Sequence, residues 1–165
     1  MTITSQTPWW KGKRGEWYVA IQVALIVLVF WGPRTYSGLP EWTYPYSLLA
    51  SIVGGLFLLV GVILFLAGLF KLGANLTPLP YPKEQATLIE TGPYKLVRHP
   101  VYCGGIIAAF GWAFCIHSWL TIGYAVILFI FLDFKSRREE IWLKERFSNY
   151  NDYQKRVRKL IPFIY

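Results

Sequence analysis

The stretch LLASIVGGLFLLVGVILFLAGLF, residues 48–70, decides the fold, because 23 consecutive residues carry no charge. An apolar run of about 20 residues is long enough to cross the hydrocarbon core of a bilayer. Three further apolar runs occur, at residues 17–31, 101–119 and 120–132. The first and last of these are short, so we expect tilting or local thinning of the bilayer around them. With 55% hydrophobic and only 16% charged residues, the chain is predicted to be an integral membrane protein.

The basic residues are distributed unevenly between these runs. With four spans, three basic residues lie before the first span, four between the second and third, and nine after the fourth, against only Arg34 on the opposite side. An excess of lysine and arginine marks the cytoplasmic side of a membrane protein. We therefore predict four transmembrane helices with both termini in the cytoplasm. The net charge of +8 is thereby explained without a nucleic-acid partner. The first run lacks a small-residue cleavage pattern, so we expect it to be retained.

Small residues recur at helical spacing in two of the predicted spans. They are Gly54, Gly61 and Gly68 in the second span, and Gly104, Ala108, Gly111 and Cys115 in the third. Small residues allow two helices to approach closely in a membrane, so the pattern predicts a tight bundle rather than a pore. Cys103 and Cys115 lie twelve residues apart in one predicted helix. We therefore predict no disulfide between them, and their spacing indicates no metal site.

The segments outside the spans differ in character. Residues 72–99 form a long cytoplasmic connection, and connections of this length are usually functional. Residues 133–147 keep a helical periodicity among charges, which predicts that the fourth span continues as a helix out of the membrane. The tail repeats apolar positions at spacings of three or four, which predicts a second amphipathic helix ending at Pro162. Its apolar positions are Tyr150, Tyr153, Val157, Leu160 and Ile161.

The predicted fold is therefore an all-α integral membrane protein with about four transmembrane helices and cytoplasmic C-terminal amphipathic helices. Residues 1–165 form one domain, in which residues 1–71 hold an N-terminal arm and two spans. Residues 72–165 form the functional core.

The segment GPYKLVRHPVYCGG, residues 92–105, places polar residues immediately before the third span. Pro100 is a favourable first residue of a helix, because its missing N–H would be unpaired there anyway. The free amides that follow form a positive helix end able to hold an anion, with Arg98 and His99 directly before it. The alternative interpretation is that Arg98 marks the cytoplasmic boundary and His99 caps the helix.

This segment belongs to a longer series of motifs. Gly-Pro-Tyr-x-x-Val-Arg-His-Pro-x-Tyr-x-Gly at residues 92–104 is followed by Arg-Arg-Glu-Glu-Ile-Trp-Leu at residues 137–143. Phe147, Tyr150-Asn-Asp-Tyr153, Arg156-Val157 and Ile161-Pro162 complete the series. The series resembles the isoprenylcysteine carboxyl methyltransferase family, and the related phospholipid N-methyltransferases share part of it. The resemblance covers roughly residues 72–165.

The resemblance implies an S-adenosylmethionine-dependent methyltransferase embedded in the membrane, without a Rossmann domain. It implies a lipophilic or lipid-linked acceptor and contact with membrane lipids. The cofactor-binding residues it implies are Lys95, Val97, Arg98, His99, Pro100, Tyr102, Gly104, Glu140, Leu143 and Tyr150. Glu139 and Arg156 are the implied catalytic residues, with Arg156 orienting the methyl acceptor. If these roles hold, His99 and Glu140 must lie close together in the folded chain.

The methyl acceptor stays open at this point. A carboxylate is already a nucleophile at neutral pH and needs only an arginine to position it, whereas an amine must first lose a proton to a base such as glutamate. Both residue types are present. The first expectation is carboxyl methylation of an apolar substrate, and the second is methylation of a phospholipid amine. A non-catalytic scaffold or lipid-binding protein is the third, with the Arg-His-Pro and Glu-Glu elements acting as structural ion pairs.

Overall fold

The computed structural model describes residues 15–77, 79 and 86–165. Within these residues the chain forms five α-helices, and its only β-type pairing is an isolated bridge between Val97 and Arg158. The helices are α1 (Glu16–Trp31), α2 (Tyr46–Leu72), α3 (Pro100–Cys115), α4 (Trp119–Arg146) and α5 (Tyr150–Arg156), with 3-10 helices at Gly73–Asn75 and Gly92–Lys95. The predicted helical fold is confirmed for this part of the chain. The N-terminal arm up to residue 14, and residues 78 and 80–85 of the long connection, lie outside the described residues.

In the part of the chain that the structure describes, two helices are long and apolar enough to cross a membrane. α2 and α4 have 27 and 28 residues and contain long apolar stretches. α1 and α3 are also apolar but have 16 residues each, which corresponds to about 24 Å of helix against a hydrocarbon core of about 30 Å. Membrane association is thus supported by α2 and α4, and the number of four spans stays a prediction.

The third helix ends earlier than the apolar run in the sequence. The run was predicted to continue to Trp119, whereas α3 ends at Cys115 and Trp119 begins α4. The reason is a tight turn in which His117 has a left-handed backbone, with φ of 53°. The hydroxyl of Ser118 then caps α4 by accepting a hydrogen bond from the backbone N–H of Thr121 at 3.1 Å. Such a cap satisfies a donor at the start of the helix.

The glycine stripe of α2 packs against the small residues of α3, so the predicted close approach of helices is confirmed, and the structure adds which two helices meet. Gly54, Gly61 and Gly68 are all buried. A Cβ atom on Gly54 would lie 2.8 Å from the backbone nitrogen of Cys115, and one on Gly61 would lie 2.7 Å from the backbone oxygen of Gly104. These positions therefore bring the two helix backbones into direct contact, which only glycine permits.

On its other side, α3 packs against α4, and α4 in turn packs against α1. The buried apolar side chains of this contact are Val29, Ile106, Ala109, Ala125, Leu128, Leu132 and Leu160. Leu160 comes from the tail, so the tail joins the same core. As predicted, α4 continues without a break beyond its apolar part into the charged residues up to Arg146.

The predicted second amphipathic helix is wrong beyond Arg156. α5 ends there, and the following residues are not helical. The tail instead pairs through its backbone with the segment before α3. The N–H of Arg98 donates to the carbonyl of Arg158 at 2.8 Å, and the N–H of His99 donates to the carbonyl of Lys159 at 3.2 Å. We call residues 157–161 the strap. Its apolar residues recur every three or four positions, as they would in a helix, so their spacing in the sequence did not reveal that the strap is extended.

Candidate functional site

The two halves of the motif series meet at the start of α3. Arg98 Nε donates to Glu140 Oε1 at 2.7 Å, and His99 Nε2 lies 3.2 Å from the same oxygen. The side chains of Arg98 and Glu140 are 8% and 9% exposed. The predicted proximity of His99 and Glu140 is therefore confirmed, although 41 residues separate them in the sequence.

A third segment completes this cluster. Arg98 Nη1 donates to the carbonyl oxygens of Gln154 and Val157, and Gln154 Nε2 donates to Glu140 Oε2 at 2.8 Å. Both oxygens of Glu140 thus accept hydrogen bonds from groups of the protein. Because the carbonyls of Gln154 and Val157 lie at the end of α5, the Arg98 side chain also stabilises the point at which α5 ends and the strap begins. We call Arg98, His99, Glu140 and Gln154 the Arg98–Glu140 cluster.

The neighbouring glutamate has a different environment. Successive residues of an α-helix point about 100° apart, and Glu139 lies beside the other nitrogen of the histidine ring, with Oε2 3.8 Å from His99 Nδ1. Tyr102 donates its hydroxyl to Glu139 Oε2 at 2.8 Å, and the rings of Tyr102 and His99 are stacked, with centroids 5.4 Å apart and planes inclined by 4°. Glu139 lines a cleft beside the cluster, whereas Glu140 lies behind its wall.

This cleft has an empty volume of about 860 Å³, which includes its open mouth. One wall comes from the start of α3 and the charged part of α4, and the other from the end of α2 and residues 86–89. Leu72, Leu76, Leu88 and Ile89 give the second wall an apolar surface. The cleft therefore joins a polar, aromatic side to an apolar one.

Half of the predicted site residues line the cleft. They are Arg98, His99, Tyr102, Glu139, Leu143 and Tyr150. Glu140 contacts this group through Arg98 and His99. Their roles in binding or catalysis stay predictions, but the structure brings these side chains together.

The other predicted residues lie elsewhere. Val97 is fully buried, and Gly104 contacts α2 rather than the cleft. Pro100 begins α3 and is also buried, whereas Lys95 ends the preceding 3-10 helix and is exposed. Arg156 is exposed and pairs with Glu90 at 2.7 Å, outside the lining of the cleft.

Three buried tyrosines form the floor of the cleft. Tyr153 donates its hydroxyl to the carbonyl of Tyr94 at 2.6 Å, and Tyr94 donates to the carbonyl of Gly68 at 3.4 Å. Within the described part of the chain, the buried hydroxyl of Tyr150 has no hydrogen-bond partner. Burial raises the pKa of all three phenols, and the carboxylate of Glu139 adds to this at Tyr94, as that of Glu140 does at Tyr150. The three hydroxyls therefore stay neutral at physiological pH.

Sequence reasoning missed two parts of the cleft. Tyr94 and Tyr153 received no role in the predicted site, and the available signal was their place in the Gly-Pro-Tyr and Tyr-Asn-Asp-Tyr motifs. The apolar wall from residues 72–77 and 86–89 received no role either, and the length of the connection was the signal for it. A clasp between Asn75 and Thr87 holds this wall, because Asn75 Nδ2 donates to the Thr87 carbonyl at 3.1 Å while Asn75 Oδ1 accepts from the Thr87 N–H at 3.3 Å.

The known proteins similar to this chain include a steroid reductase and several O-methyltransferases. The steroid 5-alpha-reductase DET2 of Gossypium hirsutum is 32% identical over 124 residues, which are 75% of this chain and 43% of that protein. A probable protein-S-isoprenylcysteine O-methyltransferase of Oryza sativa subsp. indica is 29% identical over 118 residues, 69% of this chain and 62% of that protein. The protein-S-isoprenylcysteine O-methyltransferase of Homo sapiens is 30% identical over 118 residues, 69% of this chain and 42% of that protein.

The chain thus spans less than two thirds of the length of each of these curated relatives. The sequence model of one family, phospholipid methyltransferase, matches residues 49–150. This match runs from α2 to the first residue of α5 and includes the whole Arg-His-Pro and Glu-Glu pairing. The chain belongs to the phospholipid methyltransferase family.

Proposed function

We propose that this chain is an integral membrane methyltransferase that uses S-adenosylmethionine and acts on a lipophilic acceptor. The observation that carries the proposal is the meeting of Arg98, His99 and Glu140 beside an aromatic cleft. Membership of the family and the names of the O-methyltransferase relatives support it.

The cleft matches the cofactor in chemistry. The Tyr150 hydroxyl, which has no hydrogen-bond partner among residues 15–77, 79 and 86–165, offers a hydrogen bond to a ligand, and buried polar groups without partners are rare in proteins. The aromatic side chains offer surfaces on which a purine can stack.

The residues of the chain have distinct roles in this proposal. When bound, S-adenosylmethionine supplies an electrophilic methyl group on a positively charged sulfur. Glu139 stabilises positive charge in the cleft, and Tyr102 holds that carboxylate in place. The Arg98–Glu140 cluster holds the strap and the end of α5 against α3 and α4. The buried tyrosines of α5 therefore stay in place and keep water from one side of the cleft. Alignment of the two reactants is the main requirement of a one-step displacement. A rigid wall formed by α3 and α4 helps to keep them aligned.

The first candidate acceptor is a carboxylate on an apolar molecule of the isoprenylcysteine type. Arg156 is the residue that would hold it, and its present partner is Glu90. The Arg156 side chain is 64% exposed, and exposed ion pairs contribute little, about 0–1 kcal/mol. An incoming carboxylate can therefore replace Glu90 at small cost. The apolar wall, with Leu72 and Ile89, would contact the hydrocarbon part.

The second candidate acceptor is a phospholipid amine, which the description of the family supports. An ammonium group must lose a proton before it attacks, and a carboxylate within reach can accept that proton. Glu139 lines the cleft and has this chemistry. The reductase name of one relative gives a third activity to test, and a non-catalytic lipid-binding protein is a fourth outcome.

The first experiment measures cofactor binding to the purified protein in detergent. S-adenosylmethionine or S-adenosylhomocysteine should raise the thermal midpoint, since a ligand at a hundred times its Kd stabilises the folded state by about 2.7 kcal/mol. Replacing Glu140 should weaken the affinity measured by calorimetry. An unchanged midpoint with both ligands would remove the cofactor proposal.

The second experiment identifies the acceptor. Protein supplied with methyl-labelled S-adenosylmethionine receives, in separate reactions, a farnesylcysteine analogue with a free carboxylate, phosphatidylethanolamine, or a membrane lipid extract. A steroid with reduced nicotinamide cofactor forms a parallel reaction. Label in a base-labile ester supports the carboxylate, and label in the lipid headgroup supports the amine. Steroid reduction without methyl transfer would show that the chain is a reductase and would contradict the proposal.

The third experiment tests Arg156. Arg156→Ala should lower kcat/KM about 10- to 100-fold, because a hydrogen bond to a charged group contributes about 1.5–3 kcal/mol, while cofactor affinity stays unchanged. Lys155→Ala is the matched control, because Lys155 is exposed and pairs only with the exposed Asp152 among described residues. Equal turnover in the two variants would remove Arg156 from the reaction.

The proposed topology has several spans and cytoplasmic termini. The uneven basic residues and the lengths of α2 and α4 support it. In oriented vesicles, a membrane-impermeant thiol reagent should label a cysteine placed at Lys155 only from the cytoplasmic side. Labelling from the opposite side would reverse the orientation.

A further inference from the structure

The tail ends in a turn, residues 160–164, that exposes large apolar side chains. Phe163 is 85% exposed and Ile164 is 76% exposed. The turn is closed by hydrogen bonds from the N–H groups of Ile164 and Tyr165 to the carbonyl of Ile161, at 3.2 and 3.0 Å. Phe163 has a left-handed backbone, with φ of 65°, which is uncommon for a residue other than glycine. A turn that faces water normally carries glycine, proline or small polar residues, so these side chains need another explanation.

The depth of this turn follows from its contacts with α4. Residues 119–132 of α4 contain no charge, and Asp133 is the first charged residue after them. The hydroxyl of Tyr165 donates to Asp133 Oδ1 at 3.0 Å, and Lys159 forms an ion pair with the same carboxylate. The two ends of the turn are therefore tied to the level at which α4 changes from apolar to charged.

The middle of the turn reaches below that level. Leu160, Ile161 and Pro162 line an apolar hollow together with Phe129. Phe129 precedes Asp133 by four residues, which corresponds to about 6 Å along the helix. The turn thus lies against the apolar part of α4 rather than over its charged extension.

Basic side chains surround the charged side of the same region. Arg137 is 62% exposed and donates to Asp133 Oδ2 at 2.8 Å and to the hydroxyl of Tyr165 at 2.9 Å. Arg158 is also exposed, two residues before the turn. The exposed apolar side chains match the acyl chains below the lipid headgroups, and the arginines match the anionic phosphates above them.

We propose that residues 160–164 insert into the boundary between headgroups and acyl chains of the bilayer, with a lipid surface as their partner. Phe163 and Ile164 lie among the acyl chains, and Arg137 and Arg158 lie near the phosphates. The first three residues of the strap, 157–159, precede the turn and carry the carbonyl groups that pair with Arg98 and His99. Insertion therefore anchors at the membrane the segment that pairs with Arg98 and His99, two residues of the candidate site. The inference rests on the membrane insertion of α4 proposed above, and not on the reaction.

Spin labels test this placement in vesicles of phosphatidylcholine and phosphatidylglycerol. Single cysteines replace Phe163 and Ile164 in a Cys103→Ala, Cys115→Ala background. Lys155→Cys serves as the aqueous control, because the Lys155 side chain is 78% exposed on α5. Ile127→Cys serves as the lipid control, because Ile127 is exposed in the uncharged part of α4.

The proposal predicts that labels at positions 163 and 164 lose collisions with a water-soluble nickel complex relative to position 155, and gain collisions with oxygen. If the labels at positions 163 and 164 have the same collision rates as the label at position 155, while the label at position 127 lies in lipid, the turn is not inserted although α4 is. An aqueous signal at position 127 would overturn the insertion of the turn together with the insertion of α4. Spin–spin broadening at position 163 would show that a second copy of the chain covers the turn, which also overturns it.

Discussion

The α2–α3 contact and the Arg98–Glu140 cluster both hold α3 in place, but by opposite means. In the α2–α3 contact, glycines such as Gly61 bring two backbones within van der Waals distance, and any added atom would clash. In the cluster, buried charged side chains from α4 and from the segment before α3 neutralise each other, and Arg98 contributes three hydrogen bonds. The first depends on volume and the second on partners.

The difference teaches which changes each region tolerates. Added volume disrupts the helix contact, since close packing is its main attraction within a membrane. The cluster is disrupted by the loss of one charge, because the other then stays buried without a partner. Substitutions that separate volume from charge therefore test the comparison directly.

The largest effect is expected for Arg98→Ala. The variant leaves Glu140 buried without its guanidinium and removes a donor from the carbonyls of Gln154 and Val157. Breaking a buried ion pair in this way costs about 3–5 kcal/mol. A denaturant titration in detergent micelles measures the free energy of unfolding.

Two controls accompany this variant. Lys155→Ala removes an ion pair whose side chains are 78% and 73% exposed, and it should leave the unfolding free energy unchanged. The double variant Arg98→Leu, Glu140→Leu should lose less than the sum of the two single variants, because the two residues are in contact. Strict additivity would show that the pair is not coupled.

The two regions also differ in how far the sequence predicted them. The glycine stripe repeats every seven residues within one helix, so its face could be read from spacing alone, and the packing on α3 confirmed it. Glu140 lies 41 and 42 positions from its partners His99 and Arg98, and only the resemblance of the whole motif series predicted that they meet. Local periodicity carries no information about partners so distant in the chain.

Where the prediction was wrong, a contact between distant segments decided the structure. The apolar spacing of the tail is compatible with a helix, but pairing of Arg158 and Lys159 with the backbone of residues 98 and 99 makes the strap extended. The division between Glu139 in the cleft and Glu140 behind it depends on the rotation of α4 about its axis. Adjacent glutamates in a sequence do not reveal that rotation.

The second prediction concerns volume at the glycine stripe. Gly61→Ala places a Cβ atom 2.7 Å from the carbonyl oxygen of Gly104, and overpacking of this kind costs about 1–3 kcal/mol. Gly55→Ala is the matched control in the same helix, because no atom lies within 4 Å of its Cβ position. That control should be neutral or gain up to about 1 kcal/mol from the higher helix propensity of alanine. Equal losses in the two variants of α2 would mean that helix propensity, and not the contact with α3, determines the result.

The smallest effect is expected for the two buried phenols next to the cluster, and it distinguishes structure from binding. Tyr153→Phe removes the hydrogen bond to the carbonyl of Tyr94, so the unfolding free energy should fall by about 0.5–1.5 kcal/mol. The hydroxyl of Tyr150 has no partner within the described residues. Tyr150→Phe should therefore leave the stability of the free protein unchanged or slightly higher.

The same two variants should reverse their order when S-adenosylmethionine is present. If the Tyr150 hydroxyl pairs with the bound ligand, Tyr150→Phe lowers the affinity measured by calorimetry about 2- to 12-fold, which corresponds to about 0.5–1.5 kcal/mol. Tyr153→Phe should change that affinity less, because its hydroxyl is already used within the protein. Affinity that is unchanged in Tyr150→Phe, together with a loss of stability equal to that of Tyr153→Phe, would show that the Tyr150 hydroxyl already has a protein partner. The Tyr150 hydroxyl would then no longer support a ligand in the cleft, and cofactor binding would rest on the meeting of Arg98, His99 and Glu140 and on membership of the family.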